Sequence, residues 1–231
     1  MRILTWNCNC AFRRKFHLLE RLDADVMIIQ ECEDPNESTP AYRAWAANHL
    51  WTGTNKTKGL GIFAKGNQKL GQLGWSDNGA SMFLPCRIND DLEIVGIWAQ
   101  TGKSANDSYV AQLWRYLQLN HINFGEKTIL AGDLNSNSQF DKPRQQFNHS
   151  TFVEELKKHG IVSLYHHFND ELHGRESQPT FYMQRNPLKP FHLDFAFAHT
   201  NLISNKSNHL WIGEPDEWLQ HSDHLPIAFD I

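Results

Sequence analysis

Asp194 interrupts a run, HLDFAFA at 192–198, that otherwise reads as a buried strand. A carboxylate in such a place needs a partner, a metal ion or a proton. Six further polar residues stand where apolar runs begin or end. Asn7 follows the run at 2–6 and Glu31 the run at 26–29. Asp133 and Asn135 belong to Gly132-Asp133-Leu134-Asn135, and Asp223-His224 come just before the last run. Each alone has an ordinary explanation. Asn7, Asp133 and Asn135 are turn formers, Glu31 could be a solvated strand edge, and Asp223 could be a loop carboxylate beside an incidental imidazole. Together they are carboxylates, carboxamides and one imidazole, side chains able to bind a cation or pass a proton. That chemistry requires strand ends far apart in the chain to meet in one cleft.

The elements that must bring them there are short. Strand-like apolar runs at 2–6, 26–29, 61–64, 93–98, 127–131, 193–198 and 226–231 are bounded by Gly, Asn, Asp or Pro. Helical spacing is confined to three stretches. At 13–22, Phe16 and Leu19 share a side with Phe12; at 109–119 so do Val110, Leu113, Trp114 and Leu117; at 151–159 so do Phe152, Val153 and Leu156, with Gly160 as stop. Many strands, few helices and no regular alternation predict an α+β layered sandwich rather than a doubly wound sheet. No repeat or linker divides the 231 residues, so one domain over 1–231 is expected.

A composition of 40% hydrophobic, 12% aromatic and 21% charged residues excludes a disordered chain, a coiled coil and a collagen-like repeat. No stretch approaches the roughly 18 apolar residues of a membrane helix. The polar start, Met1-Arg2-Ile3-Leu4-Thr5-Trp6-Asn7, does not read as a signal peptide, which points to the cytoplasm. The four cysteines read as reduced structural thiols, since Cys8-x-Cys10 lacks the spacing of structural zinc.

In their order along the chain, TWN, QE, GDLN, the strand HLDF and SDH closely resemble the endonuclease/exonuclease/phosphatase superfamily, from Thr5 to His224. The layout is most similar to its exonuclease III and abasic-site endonuclease branch, whose central segment GIWAQTG, AQLWRYLQ and TILAGDLNSN resemble. The resemblance implies a four-layer αββα sandwich of two mixed β-sheets with outer helices, with the site at one edge. It also implies Mg²⁺- or Mn²⁺-dependent hydrolysis of phosphoester bonds. Carried over residue by residue, Glu31 would be the principal metal ligand, with Asn7 beside it and Asp223 completing the acidic cluster. Asp133 would orient or deprotonate the attacking water, and Asn135 would hold a phosphate oxygen. His224 would meet the phosphate, hydrogen-bonded to Asp194. Hard oxygen ligands suit Mg²⁺, and phosphoryl transfer needs in-line water and charge stabilisation more than covalent chemistry.

The chain departs from that branch where relatives carry an active-site tyrosine. The aligned segment here is Trp98-Ala99-Gln100, and tryptophan has no acidic proton to give, which puts abasic-site cleavage in doubt. Substrate contacts are expected from Arg13 and Arg14 near Asn7, from Trp98 or Gln100, from Phe181 stacking on a base or sugar, and from Arg185 and Lys189 in the loop before Asp194. For the basic residues the plain alternative is a solvated loop. His192 could lean toward the cleft, whereas His121, His166 and His167 read as surface or packing residues. The net charge, 22 − 26 = −4, argues against gripping long duplex by charge alone. The resulting expectation is a monomeric, metal-dependent phosphodiesterase acting on DNA or RNA. The alternative is a phosphatase or phosphodiesterase for a small molecule or lipid head group.

Overall fold

The apolar runs that frame the polar motifs all become strands. In chain order the elements are β1 (Arg2–Asn7), β2 (Val26–Cys32), α1 (Pro40–Trp45), β3 (His49–Asn55), β4 (Lys58–Ala64), β5 (Leu70–Gln72), β6 (Phe83–Ile88), β7 (Leu92–Trp98), α2 (Tyr109–Asn120), β8 (Thr128–Asp133), α3 (His149–Lys158), β9 (Ile161–Ser163), α4 (Leu164–Asn169), β10 (Phe181–Tyr182), β11 (Pro190–Phe191), β12 (Asp194–His199), β13 (Leu210–Ile212), α5 (Pro215–Trp218) and β14 (Ile227–Asp230). This computed structural model describes all residues except 78, 80, 81, 103–106 and 204–208. No helix among the described residues is long and apolar enough to cross a membrane.

Two six-stranded sheets form, in the orders β13-β14-β1-β2-β4-β3 and β5-β6-β7-β8-β12-β9. Both are mixed: β1 runs parallel to β2 and β7 parallel to β8, and the other pairings are antiparallel. Alternation along the strands divides the apolar side chains between two layers. Ile28 and Ile62 of the first sheet meet Gly96 of the second, where an added Cβ would lie 3.0 Å from Ile28. The opposite face of the second sheet buries Val95, Leu130, Phe195 and Phe197 against Leu113 and Leu117 of α2 and Phe152 and Leu156 of α3. Outside the first sheet, Tyr42 and Trp45 of α1 pack with Phe12 on Phe63. The expected αββα layering is therefore what forms.

Local signals set the helix ends. Ser108 caps α2 by accepting from the Ala111 N–H, and Asn148 with Thr151 forms a capping box on α3. Gly160 takes φ +71 just past the end of α3. The stretch at 13–22 corrects the sequence expectation of a helix. It forms two 3₁₀ segments, Phe12–Arg14 and Phe16–Leu22, broken at Lys15 (φ −125, ψ −13). Three consecutive left-handed residues, Asn9, Cys10 and Ala11, lead into it. The Lys15 ammonium then donates to the carbonyls of Cys8, Asn9 and His221, fixing the break.

Register aligns the strand ends at one edge. Asn7 pairs with Gln30 across β1 and β2, while Asp133 stands between Trp98 and Asp194 in the second sheet. The motif glycine is required there. Gly132 has φ +148, and a Cβ on it would lie 1.8 Å from the Ile97 carbonyl oxygen.

Candidate active site

Asp133 ends β8 fully buried and collects three donors. Asn7 Nδ2 (2.9 Å) and Asn135 Nδ2 (3.0 Å) donate to Oδ2, and the Asn135 backbone N–H donates to Oδ1 (2.8 Å). Asn135 holds that position at φ +49, a left-handed conformation that Asn tolerates better than most residues. Its Nδ2 also donates to the Ala99 carbonyl. Burial, with Asp194 nearby, raises the Asp133 pKa to about 7, against the pull of His224 and the donors.

Behind Asp133 lies a buried imidazole–carboxylate pair. His224 Nδ1 donates to Asp194, at 2.9 Å from Oδ2 and 3.1 Å from Oδ1, which leaves Nε2 3.9 Å from Asp133 Oδ2. Thr180 Oγ1 donates to Asp194 Oδ2 at 2.7 Å and accepts the N–H groups of Leu193 and Asp194. Ser222 ties the other partner down, donating to the Asn7 carbonyl and accepting the His224 N–H. Burial opposes a charge on His224, but Asp194 and Asp133 outweigh it and raise its pKa to about 10. Phe181 pairs with His224 in a β-bridge, its ring 4.6 Å from the imidazole.

Glu31 sits one strand away at φ +63, in a bulge where the β2–β4 register shifts between Gln30 and Cys32. Bulges that re-aim a side chain are frequent beside active sites. Its carboxylate receives Lys58 Nζ at 2.9 Å, Cys10 Sγ at 3.4 Å and Asn7 Nδ2 at 3.4 Å. Asn9 joins the network, donating to Asn7 Oδ1 from its backbone and to Asp223 Oδ1 (2.7 Å) from its side chain. All seven motif residues thus meet at one edge.

The expected substrate contacts divide. Trp98 is buried under Lys58, whose ammonium lies 5.1 Å from the indole centroid. Gln100 is half-buried, Arg14 and Lys189 are exposed, and Arg185, also exposed, donates to the Gln220 carbonyl. The Arg13 guanidinium is taken up by Glu33 in an ion pair. One histidine expectation needs correction: His192 is buried and donates Nδ1–H to the Gln178 carbonyl, away from the cleft. His166, donating to Glu176, is a packing residue of the same cluster, and His121 and His167 are exposed.

Sequence reasoning missed Lys58, Asn9, Thr180 and Tyr109. Tyr109, the first residue of α2, lines a cavity of about 310 Å³ with Asn135, Asn137 and Phe140, and burial together with the Asp133 charge raises its pKa. None of the four has a spacing signal, because each meets its partner only across elements.

Within this site, two groupings of described residues could hold a cation. The ligand atoms of Asp133, Asp194 and His224 lie within 4.8 Å of one another. There, however, the Asp194 carboxylate and His224 Nδ1 already satisfy each other. Glu31 and Asp223 supply partly exposed carboxylate oxygens linked through Asn7 and Asn9, a hard-oxygen donor set that fits Mg²⁺ better.

Two facing mixed sheets with outer helices, and a carboxylate–imidazole constellation at their edge, define the architecture of a phosphoester-hydrolysing sandwich enzyme. The model of the endonuclease/exonuclease/phosphatase family matches residues 4–224, and the chain belongs to that family. Solved structures share the fold over its whole length. An AP endonuclease from Archaeoglobus fulgidus superposes with a TM-score of 0.74 at 18% identity, covering 100% of this chain and 99% of that one. A 3′-5′ exonuclease (NExo) from Neisseria meningitidis gives 0.71 at 15%, with the same coverage. A Danio rerio TDP2 complexed with single-strand DNA product gives 0.61 at 18%, also covering 100% and 99%. A search of curated proteins by sequence found no match.

Proposed function

We propose that this chain is a Mg²⁺- or Mn²⁺-dependent phosphodiesterase that cleaves nucleic acid. The observation that carries the reading is the opposition of the Asp133 carboxylate and His224 Nε2, 3.9 Å apart, with Asp194 behind the imidazole. Asp133, with a pKa raised to about 7, is matched to taking a proton from water near neutral pH. The imidazolium of His224 is held to meet the negative charge that develops on phosphate oxygens. Asn7 and Asn135 fix the rotamer of Asp133 so that its oxygen stays aimed at the attacking water. A divalent ion held by Glu31 and Asp223 would neutralise phosphate charge and orient the ester. Arg14, Arg185 and Lys189, all exposed, would meet flanking phosphates.

DNA is the favoured polymer, because neighbours of this fold were solved with a DNA hairpin and single-strand DNA as products. One of them is titled a 3′ phosphatase. The cavity beside Tyr109 and Asn135 gives a second reading, removal of a terminal phosphate, some support. The test is hydrolysis by the purified chain, with Mg²⁺ and with Mn²⁺, of single-stranded, duplex, abasic and 3′-phosphorylated DNA and of RNA. Cleavage of internal or terminal diesters supports the proposal, and the abasic duplex should be no better than intact duplex, since the segment Trp98-Ala99-Gln100 holds no tyrosine. Release of inorganic phosphate alone would favour the second reading, and inertness toward all five would reject both.

A further inference from the structure

Outside the cleft, four histidines and a glutamate crowd one end of the second sheet's outer face. His149 begins α3, His166 lies on α4, and His173, Glu176 and His192 follow in the segment leading to β12. Three of the imidazoles carry a buried ring nitrogen that no protein group meets: His149 Nε2, His173 Nδ1 and His192 Nε2. Orphaned buried nitrogens of this kind are costly and uncommon. For three rings Nδ1 is anchored on an oxygen: His149 on Ser136 Oγ, His166 on Ser163 Oγ and His192 on the Gln178 carbonyl. A carbonyl can only accept, so His192 is protonated at Nδ1 and directs a lone pair from Nε2. One ring nitrogen tied to oxygen with the other free is the arrangement of metal-ligating histidines; it holds at His149 and His192, whereas His166 Nε2 already donates to Glu176, a contact an entering ion would replace.

Glu176 lies at the centre. Oε1 accepts His166 Nε2–H (3.1 Å), the Gly174 N–H (2.9 Å) and Asn137 Nδ2 (3.0 Å). The ligand atoms of His166, His173 and Glu176 all fall within 4.8 Å of one another. The His166 and His192 ring centroids are 6.2 Å apart. We propose that this cluster is a structural site for a zinc-type transition-metal ion, held by His166 Nε2, His173 Nδ1 and the Glu176 carboxylate, with the buried His192 ring packed beside it.

Two imidazoles and one carboxylate, with water as a fourth ligand, match the tetrahedral N/O preference of zinc, and nitrogen donors select it over Mg²⁺. Burial lowers the pKa of the neighbouring rings, to about 3 at His149 and about 4 at His173, and lowers it at His192. Neutral imidazole is the ligating form. For His166 to bind through Nε2, its proton moves to Nδ1, where Ser163 Oγ can accept it. The His173 ring, now stacked on His166 at 3.5 Å, must tilt away so that both lone pairs face the ion.

The position gives the ion a task. Gln178 lies two residues before Thr180 and His192 two before Asp194, and Thr180 and Asp194 orient His224. An ion here would anchor His173 and Glu176 to α4 just ahead of Gln178, whose carbonyl takes the His192 Nδ1–H.

The test uses the full chain, stripped of metal and titrated with Co²⁺ in excess Mg²⁺, which occupies hard-oxygen sites. The expected result is one equivalent of Co²⁺ with the visible d–d absorption of a tetrahedral site, bleached by Zn²⁺. Zn²⁺ should also raise the melting temperature. H173A and E176Q should lose both responses, and E31Q should keep them. Melts without metal identify folded variants, and E176Q, which preserves side-chain shape, carries the comparison if H173A fails to fold. Absence of the bands in the wild type would overturn the proposal. So would bands that survive in both H173A and E176Q, or that E31Q removes.

Discussion

His224 Nδ1 lies 2.9 Å from Asp194 Oδ2 although 30 residues separate the two in sequence, and both side chains are almost wholly buried. A buried imidazole–carboxylate contact fixes the tautomer of the ring and favours its charged form. The free Nε2 therefore points, as a donor, at the place where Asp133 would activate water.

The pH dependence of stability follows from this contact. The His224 pKa is raised to about 10 despite burial, by Asp194 and Asp133. A proton held more tightly in the folded chain stabilises it fully below the unfolded value of about 6.5, and that stabilisation is lost as pH rises through about 10. His224→Asn should therefore lower the melting temperature more at about pH 6 than at about pH 10. Melts of both proteins across this range check it, and a gap that does not narrow would mean a neutral imidazole in the fold.

Lys58 Nζ pairs with Glu31 Oε2 at 2.9 Å, so its ammonium competes with any cation held by that carboxylate. Lys58→Met should lower the Mg²⁺ concentration giving half-maximal activity, even where the rate itself falls. Glu31→Gln should raise that concentration. Chelation by EDTA should abolish hydrolysis and added Mg²⁺ or Mn²⁺ restore it. Metal titrations of the three proteins provide the check, and full activity in EDTA would refute the metal dependence.

Gly132→Ala should destabilise the fold by about 3 kcal/mol or more. The backbone sits at φ +148, and the added methyl would overlap the Ile97 carbonyl oxygen at the β7–β8 register that aims Asp133. Urea unfolding measures the loss; a change below about 1 kcal/mol would show that β8 adjusts freely.

The site strands were legible because each is a short apolar run ending in a polar motif. The runs at 2–6, 26–29, 127–131 and 193–198 reappear as β1, β2, β8 and β12. Elements without such contrast were not. β3 is half-exposed and contains Gly53, β10 and β11 have two residues each, and α1 is a six-residue turn started by Thr39 and Pro40. Too few residues remain there for a period to show. Charge near Asn7 suggested phosphate contacts from Arg13 and Arg14, but nothing in the spacing showed that Glu33 would pair with the Arg13 guanidinium. Thr180 and the His166 cluster had no signal at all, since their partners come from other elements.

The most direct test is a double-mutant cycle on Asp194 and His224. His224→Ala should lower kcat by roughly 10²–10⁴-fold with little change in KM. Asp194→Asn should also lose rate, because the ring loses its orienting acceptor. With thermal melts confirming folded proteins, the double variant should be scarcely slower than His224→Ala alone, since residues acting as one unit are not additive. Losses that multiply in well-folded variants would contradict the coupling of Asp194 to His224 on which this account of the site depends.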